Sequence, residues 1–158
     1  MNTRAGLIRK DCEAVLGDDP SSLEMLRNTR IVLTGGTGFL GTWISELVTC
    51  LNDLHGFKTH LSLFARQVRD FASLRPHLAN RPEVTLIPGD VRSPIDFPKD
   101  TNWIIHAAAT PDSKFHAAYP VETMVGIAQG TENVLWSAER CPNLRMMVNT
   151  SSALVYGE

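Results

Sequence analysis

The chain has 158 residues, 43% of them apolar and 20% charged, with a formal net charge of −2. That length and composition suit one globular domain with a sizeable core, and the near-neutral charge gives no attraction to nucleic acid or to an anionic membrane. No apolar run reaches membrane-spanning length, residues 1–10 are too polar for a signal peptide, and Cys12, Cys50 and Cys141 are too scattered for a metal site.

Those three cysteines read as buried, reduced thiols, and a cytosolic location is expected. Residues 1–29 read as an N-terminal helical extension of a domain that runs from 30 to 158. Leu7, Ile8, Cys12, Val15 and Leu16 fall at helical spacing and Gly17-Asp18-Asp19-Pro20 stops that helix. Leu23, Met25 and Leu26 suggest a second short helical turn, and the segment is expected to pack on the domain.

The first strand is predicted at 30–34, where Ile31-Val32-Leu33 is continuously apolar, as in a parallel strand covered on both faces. A glycine-rich turn, Thr34-Gly35-Gly36-Thr37-Gly38-Phe39-Leu40-Gly41, leads into a helix at about 38–54. That helix is expected to bury Leu40, Trp43, Ile44, Leu47, Val48 and Leu51 and to stop at Gly56. A second strand follows at 60–65, then a basic helical stretch at 66–79 interrupted by Pro76. A third strand at 84–87 is closed by Pro88-Gly89-Asp90, and a fourth spans 103–107. A long helix is predicted at 121–140, with Met124, Ala128, Thr131, Leu135 and Ala138 along its buried stripe. A fifth strand at 145–149 runs into Thr150-Ser151-Ser152. Strands alternating with helices predict right-handed crossovers and an α/β fold, a Rossmann-type doubly wound parallel sheet.

Within the glycine turn, Gly36-x-Gly38-x-x-Gly41 has the spacing that seats a pyrophosphate on a helix N-terminus. Glycines there permit a tight turn, a close backbone approach to phosphate and close helix–strand packing. After the second strand, where a carboxylate commonly binds the adenosine ribose, this chain has Ala65-Arg66. The arginine can pair with a 2′-phosphate and leans the cofactor, NAD or NADP, toward NADP. Asp90-Val91 lies where an adenine edge would rest, the carboxylate accepting from the exocyclic amine. His106 reads as a packed, hydrogen-bonded residue at a buried strand end. Ala107, Ala108 and Ala109 leave room for a ligand in the crevice. Ser152 can hydrogen-bond a substrate oxygen but needs a partner to move protons. Neither Tyr119 nor Tyr156 is followed four residues later by lysine, and no residues have metal-ligand spacing.

Five motifs occur in order: Thr34–Gly41, Gly89-Asp90-Val91-Arg92, His106-Ala107-Ala108, Gly130-Thr131-Glu132-Asn133-Val134-Leu135 and Ser151-Ser152-Ala153-Leu154-Val155-Tyr156-Gly157. Over about residues 30–158 the chain resembles the N-terminal half of an extended short-chain dehydrogenase/reductase, the NAD-dependent epimerase/dehydratase group. The resemblance implies that Gly35, Gly38 and Gly41 line the pyrophosphate, with amides from Phe39 and Leu40. It implies that Asp90 and Val91 hold adenine and that Ala107, Ala108 and Ala109 pass under the nicotinamide-side ribose. Ser152 matches the family's catalytic Ser/Thr, and Tyr156 matches a turn tyrosine that is not catalytic. The family's Tyr-x-x-x-Lys and its substrate region lie further downstream, so the chain is expected to be truncated before them. Ile127 replaces a common asparagine. Three functions follow as expectations. The first is the NAD(P)-binding part of a nucleotide-sugar epimerase, dehydratase or decarboxylase, with a second copy of the chain as a candidate partner. The second is an NADPH-dependent reductase of a small carbonyl or thioester substrate, and the third is a non-catalytic nucleotide-binding or assembly module.

Overall fold

The structure is a computed structural model and describes residues 4–17, 19–110 and 112–152. Five parallel strands, β1 (Arg30–Thr34), β2 (His60–Ala65), β3 (Val84–Pro88), β4 (Trp103–His106) and β5 (Met146–Asn149), form one sheet in the order β3-β2-β1-β4-β5. Thr34 pairs in register with Phe64 on one side and His106 on the other, and His106 with Asn149. The C-terminal ends of the strands therefore form a common edge. The chain winds outward from β1 to β3, then crosses back to β4, so the order reverses between β1 and β4. That reversal leaves a crevice above these two strands.

Alternate residues of the strands feed two cores, as the two-residue period requires. Ile31, Leu33, Leu61, Leu63 and Val84 point toward α2 (Phe39–His55), α3 (Val68–Leu74) and α4 (Pro76–Ala79), meeting Val48, Phe71 and Leu78. Val32, Phe64 and Ile104 meet Val134 and Ala138 of α6 (Pro120–Glu139), together with Ile95, Phe97 and Cys141. Both faces of β1 are covered, which is why its apolar run is unbroken. Proline ends β3 without cost because β3 is an edge strand.

The N-terminal extension packs on the domain as expected. Helix α1 (Arg4–Leu16) sets Cys12 and Leu16 against Cys50, Leu51 and Phe57 on the outer side of α2. A 3-10 turn at Ser21–Leu26 completes this layer. Its Leu26 carbonyl accepts from the Thr29 and Thr59 hydroxyls at 2.6 and 2.9 Å, and the Arg27 guanidinium lies 4.2 Å from the centre of the Phe57 ring. All three cysteines are free and buried.

Two helix faces differ from the sequence expectation. On α2, Val48 and Leu51 are buried and Ile44 and Leu47 half-buried, but Leu40 and Trp43 remain 46% and 37% exposed. The face turned inward near the helix start is Gly41 and Ser45, because only a residue without a side chain fits over the Gly36 carbonyl. On α6, Met124, Ala128 and Leu135 are exposed, while Gly130, Val134, Ser137 and Ala138 are buried. Ser137 donates to the Ile95 carbonyl at 2.5 Å, which fixes the rotation of that helix. Pro76 splits the basic stretch into α3 and α4 by occupying the first turn of α4, where its missing N–H has no partner to lose. A short helix that the sequence pattern did not mark, α5 (Ser113–Ala118), starts where the Asp112 carboxylate accepts from the Lys114 amide at 2.9 Å.

Candidate functional site

All five strand ends on the common edge carry residues singled out from the sequence. The glycine turn follows β1, and three of its four glycines are demanded by the fold. Gly35 is in the left-handed region (φ 70°), and a Cβ there would lie 2.5 Å from the Ala107 carbonyl oxygen. A Cβ on Gly36 would lie 2.8 Å from the Leu33 carbonyl oxygen and 2.9 Å from the Leu63 Cβ, and one on Gly41 would overlap the Gly36 backbone. Gly38 is different. Its backbone is extended, at φ −77° and ψ −174°, and a Cβ would meet only the Gly35 carbonyl oxygen, at 3.2 Å.

Gly38 is also the N-cap of α2, and no side chain caps that end. The first-turn amides and the positive end of a 17-residue helix thus face the crevice without a side-chain acceptor. Phe39, 83% exposed, and the half-exposed Leu40 stand beside them. This is an anion-binding arrangement.

At the end of β4, His106 is buried, and its Nδ1 lies 2.6 Å from the Thr34 hydroxyl. Burial pushes its pKa below the usual histidine value, so it is neutral near pH 7. Its carbonyl accepts from the Thr150 amide at 3.1 Å and from the Thr150 hydroxyl at 3.3 Å. His106 therefore ties β1, β4 and β5 together, matching its structural reading. Ala107 donates its amide to the Thr34 carbonyl at 3.1 Å. Ala107 and Ala108 are half-buried beneath Gly35, while Ala109 is exposed.

Beyond β5, Ser151 adopts left-handed backbone (φ 51°), a conformation that costs a non-glycine residue about 1–2 kcal/mol. Ser152 follows it, exposed, on the same sheet edge but two strands from the glycine turn. Tyr156 lies outside the described residues.

The loop after β3 is tightly held. The Gly89 amide donates to the Ala65 carbonyl at 3.0 Å, and a Cβ on Gly89 would lie 2.5 Å from Phe64 Cζ. Val91 rests on Gly130 of α6, where a Cβ would lie 3.0 Å from Val91 Cγ2, and Asn133 Nδ2 donates to the Val91 carbonyl at 2.9 Å. Two residues of the Gly-Thr-Glu-Asn motif thus anchor the loop that presents Asp90. The Arg92 guanidinium holds the Asp90 carboxylate below the usual aspartate range, and the charge of Arg66 adds to the effect. Arg66 is exposed and makes no ion pair among the described residues. Sequence reasoning assigned no role to Arg92, Thr34 or Asn133. All three stand inside the ordered motifs, Thr34 at the head of the glycine turn, Arg92 after Asp90-Val91 and Asn133 in the Gly-Thr-Glu-Asn stretch, and that membership is the only signal the sequence carried for them.

No group of three His, Cys, Asp or Glu residues among those described could hold a metal ion, and no described helix is long and apolar enough to cross a membrane. A cleft of about 490 Å³ lies elsewhere, between α1, α2 and α3–α4, where Arg81 pairs with Asp53 and His77 Nε2 lies 2.7 Å from Glu46 Oε1. It is remote from the sheet edge and presents no comparable anion site.

Comparison with known proteins agrees with this fold. The model of the NAD-dependent epimerase/dehydratase family matches residues 31–158. A UDP-glucose 4-epimerase of Rickettsia bellii is 29% identical over 135 residues, 84% of this chain and 39% of that protein. UDP-glucuronic acid decarboxylase 1 of Arabidopsis thaliana is 31% identical over 141 residues, 84% of this chain and 28% of that protein. The chain thus spans well under half the length of these relatives. Among solved structures, Pen from Bacillus thuringiensis superposes with a TM-score of 0.67 at 21% identity, over 84% of this chain and 40% of that one. The Bordetella bronchiseptica enzyme WbmF in complex with NAD+ does so with a TM-score of 0.63 at 16% identity, over 82% and 38%.

Proposed function

The chain belongs to the NAD-dependent epimerase/dehydratase family, and we propose that it forms the cofactor-binding half of a nucleotide-sugar epimerase, dehydratase or decarboxylase. The observation that carries this is the uncapped N-terminus of α2 above a glycine turn seated on Ala107 and Ala108, at the reversal point of the sheet. The missing side chains leave a cradle, and the exposed amides and helix dipole suit a pyrophosphate.

In this reading Gly35, Gly38 and Gly41, with the amides of Phe39 and Leu40, would hold the pyrophosphate. Asp90 would accept from the adenine amine beside Val91. Ala107, Ala108 and Ala109 would leave space for the nicotinamide-side ribose. A bound nicotinamide dinucleotide would supply hydride acceptance and return. Ser152 would orient the substrate by its hydroxyl, and His106 would not serve as a base: it is buried and bonded to Thr34. None of the 158 residues forms a Tyr-x-x-x-Lys pair, so this chain by itself binds the cofactor and does not turn substrate over. The nucleotide-sugar assignment draws on what the relatives are named for, a UDP-glucose epimerase and a UDP-glucuronic acid decarboxylase.

Arg66, exposed and without an ion pair among the described residues, supports a 2′-phosphate contact and hence NADP. The exposed row on α6 supports a second copy of the chain as a partner. Met124, Ala128, Thr131 and Leu135 run large-small-small-large, so two antiparallel copies set Met124 against Leu135 and Ala128 against Thr131. The test is calorimetric titration of the 158-residue chain with NAD+ and NADP+, repeated with Arg66→Ala. Binding of a dinucleotide with no turnover of UDP-sugars supports the proposal. Failure of both to bind overturns it, and an unchanged NADP+ affinity in Arg66→Ala removes the 2′-phosphate contact.

A further inference from the structure

The loop between β3 and α6 presents one carboxylate to the crevice and holds it unusually firmly. Three hydrogen bonds hold the backbone of Gly89–Ser93, Gly89 to Ala65, Ser93 to Asp90 at 3.0 Å and Asn133 to Val91, and the Val91 side chain rests against Gly130. A fixed backbone still leaves the aspartate side chain free to rotate, and Arg92 removes that freedom. Its amide donates to Asp90 Oδ1 at 3.0 Å. Its Nε lies 3.1 Å from both carboxylate oxygens, and its Nη2 donates to Oδ2 at 2.6 Å. The pair remains open to a ligand, with the Asp90 side chain 27% exposed and that of Arg92 44% exposed.

We infer that Arg92 is a positioning residue for base recognition: it orients the Asp90 carboxylate so that its remaining lone pairs meet the exocyclic amine of adenine. This rests on the dinucleotide reading of the site. The chemistry is that of a two-sided carboxylate. An ionised aspartate offers about four acceptor positions; the Arg92 amide, Nε and Nη2 engage both oxygens, and the acceptor capacity that remains takes only a donor. A ligand amine satisfies it, whereas a carbonyl at the same ring position repels it.

The role separates from a general attraction of Arg92 for phosphates by the choice of ligand. Dissociation constants are measured on the 158-residue chain for NAD+ and for nicotinamide hypoxanthine dinucleotide, in which a carbonyl replaces the adenine amine. Arg92→Ala is expected to weaken NAD+ binding about fivefold, the size of an ordinary coupling between contacting groups, and to change binding of the hypoxanthine analogue less than about twofold by the same measure. In an Asp90→Ala background, Arg92→Ala is expected to have no further effect on NAD+. The pair is exposed, so folding should survive either substitution, and a melting curve checks this. Equal losses for both dinucleotides, or no loss for either, overturn the inference while leaving the cofactor site standing. Failure of the unaltered chain to bind either dinucleotide overturns both.

Discussion

Gly38→Ala is the substitution that most directly separates a ligand cradle from a structural turn. At this position the backbone is extended, φ −77° and ψ −174°, which alanine adopts without strain. The new Cβ would have one neighbour within 4 Å, the Gly35 carbonyl oxygen at 3.2 Å, and a shift of a few tenths of an ångström relieves it. Replacing glycine by alanine at an N-cap costs about 0.5–1 kcal/mol, and the smaller entropy of the unfolded chain returns about 0.4–1 kcal/mol. The net change in stability is within about 1 kcal/mol, a shift in Tm of no more than about 4 °C for a domain of this size. The ligand meets a different situation. A methyl group placed where phosphate oxygens approach the α2 amides is an overpacking of about 1–3 kcal/mol, equivalent to a loss of roughly 5- to 150-fold in dinucleotide affinity. Thermal melting and calorimetric titration of the same sample give both numbers. Unchanged affinity in a stable variant would sink the cradle argument. A large fall in Tm would show instead that the fold, and not a ligand, requires this glycine. Gly35→Ala is the control, since φ 70° and a Cβ 2.5 Å from the Ala107 carbonyl make it costly by about 2–4 kcal/mol whether or not a ligand binds.

Phe57→Ala empties a fully buried site between the N-terminal layer and α2, and a loss of about 3–5 kcal/mol is expected; denaturant unfolding giving under 1 kcal/mol would mean that α1 does not contribute to the core. His106 has its pKa lowered by burial, so the unfolded chain binds the proton more readily. Stability is then complete above the unfolded value near 6.5 and declines as pH falls below it toward the lowered folded value. His106→Gln should flatten that part of the stability–pH curve, and an unchanged slope in chemical denaturation between pH 7 and 5 would contradict the assignment. Glutamate at both Met124 and Leu135 places like charges across the proposed antiparallel α6 pair, with a shift from dimer to monomer expected in sedimentation velocity; a monomeric unaltered chain would remove the pairing.

The strands were legible because their chemistry is local. Ile31-Val32-Leu33 and Leu61-Ser62-Leu63-Phe64 are buried on both faces, and a strand covered on both sides shows as a near-continuous apolar run, here broken only by the small Ser62. The rotation of the helices was not legible. Helix α2 spreads its apolar residues, Phe39, Leu40, Trp43, Ile44, Leu47, Val48, Leu51 and Leu54, over about half its circumference at 3.6 residues per turn, and the pattern alone does not say which edge of that arc turns to the sheet. The face is chosen by Gly41 and Ser45, which let the helix approach the glycine turn, and their importance depends on a contact with Gly36 that only the folded chain makes. On α6 the same choice is made by Gly130 against Val91 and Ser137 against Ile95, partners roughly forty positions away in sequence.

That difference also explains why a candidate binding turn stands out in the sequence and an acid–base pair does not. A pyrophosphate cradle consists of backbone amides and absent side chains, written contiguously in eight residues from Thr34 to Gly41. An acid–base pair consists of two side chains that separate segments bring within hydrogen-bond reach. The described residues of the sheet edge offer two polar groups near the crevice that could have filled that role. His106 is spent on Thr34 and kept neutral by burial, and Asp90 is held ionised by Arg92 at the far side of the sheet from Ser152. β3 and β5 are the two outer strands of the five, so Asp90 and Ser152 stand at opposite ends of the site. A dinucleotide lying between them would span the whole edge, adenine at β3 and nicotinamide toward β5, and in that reading Arg92 would act in binding rather than in catalysis.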